Sequence, residues 1–265
     1  MYGFTYHRPQ SVTDATQLLA SNPEAKVLAG GHTLIPTMKL RLASPKAIID
    51  LSQVAELRGI EHKGNALVIG AMTTHADVAG SSVVRSAIPA LVDVAGLIGD
   101  PHVRHRGTIG GSVANNDPAA DYPAALLALG ATVTTDKRDI KADDFFKGLF
   151  ATALQDGEII TRISFPIPGK FAYAKFPHPA SRFALVGVAV AQIGSGVRVA
   201  VTGAGNNDVF RHPGMEAALA KSWSSQTLNG VTTAPGGMMS DIHADATYRA
   251  HLVGVMARRA VARAG

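Results

Sequence analysis

Two glycine pairs carry the strongest chemical signal in this 265-residue chain. Gly30-Gly31 follows the run Lys26-Val27-Leu28-Ala29 and leads into His32 and Thr33. Gly110-Gly111 sits between Thr108-Ile109 and Ser112. Glycine adopts positive φ without strain and lets a ligand come close to the backbone amides. Consecutive amides in such a turn form a nest for an anion. Each loop adds hydroxyl donors, Thr33 in the first and Thr108 with Ser112 in the second. Two loops of matching chemistry predict a pyrophosphate gripped from both sides, as in a dinucleotide. Two tight turns without a ligand are the competing reading.

Neither loop is the G-x-G-x-x-G fingerprint of a nicotinamide domain. Gly203-Ala204-Gly205-Asn206-Asn207 comes nearest and lacks the third glycine. Asp100, His102 and His105 suggest a metal site, but Arg104 and Arg106 beside them oppose a cation. Asp136, Asp139, Asp143 and Asp144 alternate with Lys137, Arg138 and Lys141, which describes a solvated surface. No serine stands in a G-x-S-x-G elbow. The chain has no cysteine, so disulfides, thiol nucleophiles and thiolate-bound iron–sulfur clusters are excluded.

The formal charge of +5 suits an anionic small ligand or an acidic partner. Aromatic residues make up 6%, too few for a base-stacking surface, so no nucleic-acid partner is expected. No apolar run is long enough to span a bilayer, and the first residues lack an apolar leader segment. The expected location is the cytoplasm.

The elements that must position the loops follow from pattern. Ser11-Val12-Thr13-Asp14 resembles a capping box opening a helix that ends near Asn22-Pro23. Short apolar runs at 26–29, 47–51, 66–71, 131–135 and 158–165 read as strands. Residues 86–98 read as one helix with Pro89 in its first turn, 107–121 as loop, and 122–129 as a short helix stopped by Gly130. Pro166-Ile167-Pro168-Gly169-Lys170 marks a boundary. Beyond it, 171–176, 184–193 and 197–203 read as a meander, with Gly194-Ser195-Gly196 as a hairpin turn. Residues 215–221 read as a short helix. Residues 248–263 read as a longer one, with Tyr248, Leu252, Val255 and Met256 on one face and Arg249, Arg258 and Arg259 mostly off it. The fold class expected is α+β.

Beyond these patterns, the sequence resembles the FAD-binding medium subunits of the molybdenum hydroxylases, the family of carbon monoxide dehydrogenase and xanthine dehydrogenase. The resemblance is carried by LAGGHTLIPTMKLRLASP and DPHVRHRGTIGGSVANNDPAADYPAALLALGA, with FTYHRPQSVTDATQLL, GEIITRISFP, VAVTGAGNNDVFR and YRAHLVGVMARRAVARA at matching places. It implies a two-subdomain FAD-binding fold of the vanillyl-alcohol-oxidase type, expected over residues 1–167 with parts 1–54 and 55–167. A smaller α+β domain would follow over 168–265. It implies FAD on Lys26, Val27, Leu28, Ala29, Gly30, Gly31, His32 and Thr33, and on Thr108, Ile109, Gly110, Gly111 and Ser112. It also implies cofactor contacts from Asp121, which the residues alone equally suggest as a helix N-cap. Ile98, Ile160 and Lys175 match weaker positions near the ring or the adenine.

The resemblance further implies an electron-transfer subunit, inactive on substrate alone, with no catalytic acid or base of its own. Its partners would be a large subunit with the molybdenum cofactor and a small subunit with 2Fe–2S clusters, in an (αβγ)2 hetero-oligomer. A self-contained flavin oxidase of the vanillyl alcohol oxidase type and a non-enzymatic nucleotide-binding assembly subunit are the alternatives.

Overall fold

The computed structural model describes residues 1–264. The first sheet is parallel, in the order β1-β3-β2, with β1 at Thr5–His7, β2 at Ala25–Leu28 and β3 at Ala47–Asp50. The second sheet holds β4 (Ile60–Lys63), β5 (Ala66–Gly70), β6 (Thr132–Thr135) and β7 (Asp139–Lys141). A small hairpin of β8 (Phe146–Gly148) and β9 (Ala151–Thr152) precedes its fifth strand, β10 (Ile160–Pro166). The order is β4-β5-β10-β6-β7, antiparallel throughout. The third sheet is an antiparallel meander of β11 (Lys170–Pro177), β12 (Ala184–Ile193), β13 (Gly196–Thr202) and β14 (Phe210–Arg211). This is the expected α+β class.

The helix Asp121–Leu129 is buried along its whole length and touches β10, β12 and β13. Its sequence explains this, because a helix that is apolar all round must be covered all round. The opposite face of the meander carries the helix Ala246–Arg263. Its Leu252, Val253, Met256, Ala257 and Ala260 pack on Val186, Val188, Val190, Val199 and Val201. The meander is thus clamped between an inner and an outer helix.

Four features differ from the sequence expectation. Residues 107–121 are not all loop, because Ile109–Asn115 forms a helix. Thr108 caps it by accepting from the Gly111 amide at 3.1 Å, and fully buried Ile109 and Val113 hold it by tertiary packing despite its glycines. Residues 86–98 are not one helix. Ile88, at φ −141° and ψ 77°, breaks Ser82–Ala87 from Pro89–Gly96, as a residue before proline tends to do. Ser11 caps its helix by accepting from the Asp14 amide, but the reciprocal capping box forms at Thr74 and Asp77 instead. Arg249 is buried, not outward. It donates to the Leu185 and Gly203 carbonyls at 2.7 and 2.8 Å and to Asp241, tying the outer helix to β12 and the end of β13.

The second sheet carries a buried acid with a clear pH signature. Glu158 accepts from Arg138, the Thr135 hydroxyl and the Gln155 amide, with its side chain out of solvent. The Arg138 bond first, then the amide and hydroxyl, hold its carboxyl down at about 2, against the opposing effect of burial. A depressed acid stabilises the fold above its unfolded value near 4.5 and loses that contribution as pH falls toward 2. Glu158→Gln is therefore expected to lower stability at pH 7 and to flatten its dependence between pH 4.5 and 2. Urea titrations across that range check this, and parallel curves for both proteins would count against it.

Candidate cofactor cleft

The first sheet delivers the first glycine loop. Gly30 and Ser52 lie just past the C-terminal ends of the adjacent parallel strands β2 and β3. That end of a parallel sheet is where open α/β sheets place ligands. The loop then crosses the segment leading into the second glycine loop. A Cβ on Gly30 would lie 2.2 Å from the Arg106 carbonyl oxygen, and one on Gly111 would lie 3.3 Å from the Ala29 Cβ. Gly110 is pressed on the backbone after β5, where a Cβ would be 2.6 Å from the Ala71 Cβ and 2.7 Å from its oxygen. Gly31 has φ +80°, a conformation that other residues adopt only with strain. The room left by Gly30 and Gly110 is thus filled by the chain itself. Gly30 serves the crossing, and Gly110 serves the packing of the second loop on the chain after β5.

The two loops also differ in what their amides can do. In the second loop the amides are spent internally. Ile109 donates to Thr73 at 3.1 Å, Gly110 to Ala71 at 2.9 Å, Gly111 to the Thr108 hydroxyl and Ser112 to the Thr108 carbonyl. In the first, the amides of Gly31, His32 and Thr33 make no hydrogen bond to any described residue. The symmetrical nest expected from the sequence is therefore one-sided.

A cleft of about 290 Å³ opens at the crossing. Arg58, Arg106 and His105 supply cationic or ionisable groups, and Ser52, Thr74 and Thr108 supply hydroxyls. Ala29 and Gly30 supply the floor, with Met72. Its one acid, Asp77, is turned to cap its own helix by accepting from the Thr74 amide. This donor set fits an anion such as a pyrophosphate. A larger cleft of about 400 Å³ holds none of the predicted residues; its one cation, Arg162, is outnumbered by Glu56 and Asp136.

Beneath the crossing sits His75. It is buried, its ring lies 5.4 Å from that of Tyr122, and its amide donates to Gly107 at 2.9 Å. Burial first, then the charges of His32 and Arg104, pushes its pKa down to about 4. Gly107 is glycine because a Cβ there would come within 2.6 Å of the His75 Nε2. The imidazole is a neutral spacer under the loops.

Of the residues predicted for the cofactor, Ala29, Gly30 and Thr108 line the cleft. Gly31, His32 and Thr33 continue the first loop, with His32 and Thr33 exposed. Lys26 is exposed on β2, and Val27 and Leu28 are half-buried behind the loop. Ile109, Gly110, Gly111 and Ser112 form the helix start described above. Asp121 and Lys175 are each other's partners. The Asp121 carboxylate accepts from Lys175 Nζ at 2.8 Å and from the Tyr173 hydroxyl. Both charged side chains are almost wholly out of solvent. Lys175 also donates to the Leu97 carbonyl at 3.1 Å, which brings Ile98 into the same neighbourhood. Burial pushes the Asp121 carboxyl up, and Lys175 and Tyr173 oppose that push. Asp121 is not an N-cap, because Ala120 holds that position and Asp121 begins the helix itself. Ile160 is packed in the core beside β6 and lines neither cleft.

Sequence reasoning missed Ser52, Arg58 and Thr74. Only Ser52 carried a usable signal, its place after an apolar strand next in space to the Gly30 strand. No group of three or more His, Asp or Glu that could hold a metal ion occurs among the described residues.

Known proteins extend this picture over the whole chain. Residues 2–168 match the FAD binding domain in molybdopterin dehydrogenase, and residues 171–264 match the CO dehydrogenase flavoprotein C-terminal domain. The chain is 36% identical to the carbon monoxide dehydrogenase medium chain of Hydrogenophaga pseudoflava, over 97% of this chain and 96% of that one. It is 36% identical to the nicotine 6-hydroxylase medium subunit of Paenarthrobacter nicotinovorans, over 98% and 96%. A chain of reconstituted CO dehydrogenase from Oligotropha carboxidovorans superposes with a TM-score of 0.91 at 35% identity, covering 99% of this chain and 98% of that one. This chain therefore belongs to the family of FAD-binding medium subunits of the molybdenum hydroxylases.

Proposed function

We propose that the chain holds one FAD non-covalently at the loop crossing and serves as the electron-transfer subunit of a molybdenum hydroxylase. The observation that carries this is the cleft lined by Gly30, Arg58 and Arg106, with the unbonded amides of Gly31, His32 and Thr33 next along the chain. FAD, when bound, supplies the redox chemistry: it takes electrons from 2Fe–2S clusters on a small partner subunit and yields them to an external acceptor. Substrate hydroxylation belongs to a large subunit carrying the molybdenum cofactor, and the assembly is read as (αβγ)2.

The residues of this chain bind and orient. Arg58, Arg106 and the first-loop amides neutralise the pyrophosphate, and the Ser52, Thr74 and Thr108 hydroxyls complete its hydrogen bonding. Gly30 and Gly111 hold the two loops in register. His75 stays neutral near pH 7 and keeps the crossing spaced without adding a proton to it. The Asp121–Lys175 pair fixes β11 to the chain after Leu97. Whether those residues also touch the cofactor is part of the proposal, as is the division into 1–54, 55–167 and 168–265, which follows the three sheets.

Acid or heat is expected to release all the flavin into the filtrate, since no cysteine can tether it; yellow colour that survives denaturation would point to a link through His32 or another histidine and contradict this. The FAD-loaded chain alone, mixed anaerobically with aldehydes, purines or carbon monoxide, should keep its flavin absorbance. Bleaching should appear when the large and small subunits are added. Bleaching of the isolated chain at catalytic rates would favour a self-contained oxidase.

A further inference from the structure

Three successive carbonyls, those of Leu97, Ile98 and Gly99, meet cations from three different elements. Lys175 on β11 donates to Leu97 at 3.1 Å, and Arg104 donates to Ile98 and Gly99 at 3.0 and 3.1 Å. Arg182, on the turn between β11 and β12, reaches Gly99 at 3.5 Å. Residues 97–100 join the helix Pro89–Gly96 to the helix Pro101–Arg106, so these bonds fix the course of the join. Asp100 opens the second helix by accepting from the Val103 amide at 2.9 Å. That helix ends on His105 and Arg106, which line the cofactor cleft.

Of the three cations only Lys175 is out of solvent, with 1% of its side chain exposed. A buried ammonium keeps its charge only beside a countercharge. Asp121 supplies it, through the oxygen that accepts from Lys175 Nζ at 2.8 Å. The other Asp121 oxygen accepts from the Tyr173 hydroxyl. Tyr173 and Lys175 are two residues apart on β11 and so share one face of it. The neighbouring strand leaves room for the phenol, because a Cβ on Gly187 would overlap its hydroxyl. Burial pushes the Asp121 carboxyl up, and Lys175 and the Tyr173 bond oppose that push. Burial first, then the Asp121 charge, pushes the Tyr173 phenol up as well, so it stays the donor.

We infer that Tyr173 is a positioning residue for the cofactor cleft: its hydroxyl holds Asp121 ionised, Asp121 holds Lys175 on the Leu97 carbonyl, and that bond sets the stretch leading to His105 and Arg106. The inference rests on the reading that FAD occupies the cleft. Without the hydroxyl, the carboxylate loses one of the bonds that favour its charged form, and it takes up a proton at a higher pH. Lys175 is then a buried charge without its partner and leaves Leu97 for water. Around the pair, Tyr122 stands beside Asp121 on its own helix, and Arg263 of the outer helix donates to the Tyr173 carbonyl at 3.2 Å. Arg104 and Arg182 lie beyond the three carbonyls. None of these four is an acid that could replace Asp121.

The test is Tyr173→Phe in the full chain, titrated with FAD by flavin fluorescence at a series of pH values. FAD should bind about tenfold more weakly, as for one lost hydrogen bond to a charged group. The pH below which affinity falls should move up by about one unit, the equivalent of that tenfold. Carbon-13 NMR of labelled aspartate, with Asp121 assigned through Asp121→Asn, should show its carboxyl taking up a proton at the same higher pH. Gly187→Ala, which displaces the hydroxyl without removing it, should reproduce both changes. Circular dichroism of both variants should match the wild type. Wild-type affinity and pH profile in Tyr173→Phe overturn the proposal. So does weaker binding with an unmoved pH profile and an unmoved carboxyl signal, since that is a packing role alone. A wild-type chain that binds no FAD refutes the cofactor reading and the cleft role with it, while the carboxyl signal separately decides whether Tyr173 holds Asp121 ionised.

Discussion

Gly30→Ala is expected to remove flavin binding and to lower the unfolding temperature together. A single methyl there must fit 2.2 Å from the Arg106 carbonyl oxygen, well inside contact distance, and both neighbours are backbone. Neither segment can yield by rotating a side chain, so the loops must part. Overpacking of a tight site costs about 1–3 kcal/mol and more where backbone must shift. We expect the upper end, with flavin content of the purified protein reduced at least tenfold. Gly111→Ala provides the contrast. Its Cβ would meet the Thr108 hydroxyl at 2.9 Å and the Ala29 methyl at 3.3 Å, contacts that a rotation and a few tenths of an ångström relieve. Thermal unfolding and flavin-to-protein absorbance measured on both variants decide the matter. Equal, mild effects would place the crossing elsewhere.

Asp121→Ala should be the most destabilising single change in the inner helix. It leaves the Lys175 ammonium buried with only the Leu97 carbonyl for company. Breaking one half of a buried ion pair costs about 3–5 kcal/mol, chiefly from the charge left behind. Removing both charges together, as in Asp121→Ala with Lys175→Met, should recover most of that loss. Urea unfolding of the two single variants and the double variant forms the cycle. Additive losses would show that the two side chains do not act as a pair.

How much of this was legible in the residues varies with the kind of physics involved. The meander was readable to within a residue or two, because β12 is a continuous apolar run bounded by Gly194 and a strand fully buried on both faces must look that way. The helix Asp121–Leu129 was readable for the same reason. The glycine pairs were found at once, but the chain-on-chain packing they permit was not. Loop chemistry is local, whereas the contacts of Gly30 with Arg106 and of Gly110 with Ala71 are long-range, and no spacing rule reveals what a missing Cβ would strike. The helix Ile109–Asn115 was hidden because its glycines argue against helix, and only burial of Ile109 and Val113 overrides them. Arg249 was placed outside by charge, yet two carbonyls at the sheet's end draw it in. Asp121 and Lys175 were named separately, fifty-odd residues apart, and nothing in the sequence said that they meet.

The loop crossing also bears on the order in which the molecule can be made. Gly30 and Arg106 are about seventy-five residues apart along the chain, so their contact is strongly non-local. A ribosome releases the first glycine loop long before its counterpart exists, and the 31–33 amides then have only water to meet. The cleft forms only after the second sheet's early strands, the His75 helix and the Thr108 cap have all emerged. Anything that binds the finished cleft draws the folding equilibrium forward by mass action. The nascent chain therefore acquires affinity for its ligand late and in one step, and flavin supply during synthesis should set the yield of folded protein more strongly than flavin added afterwards.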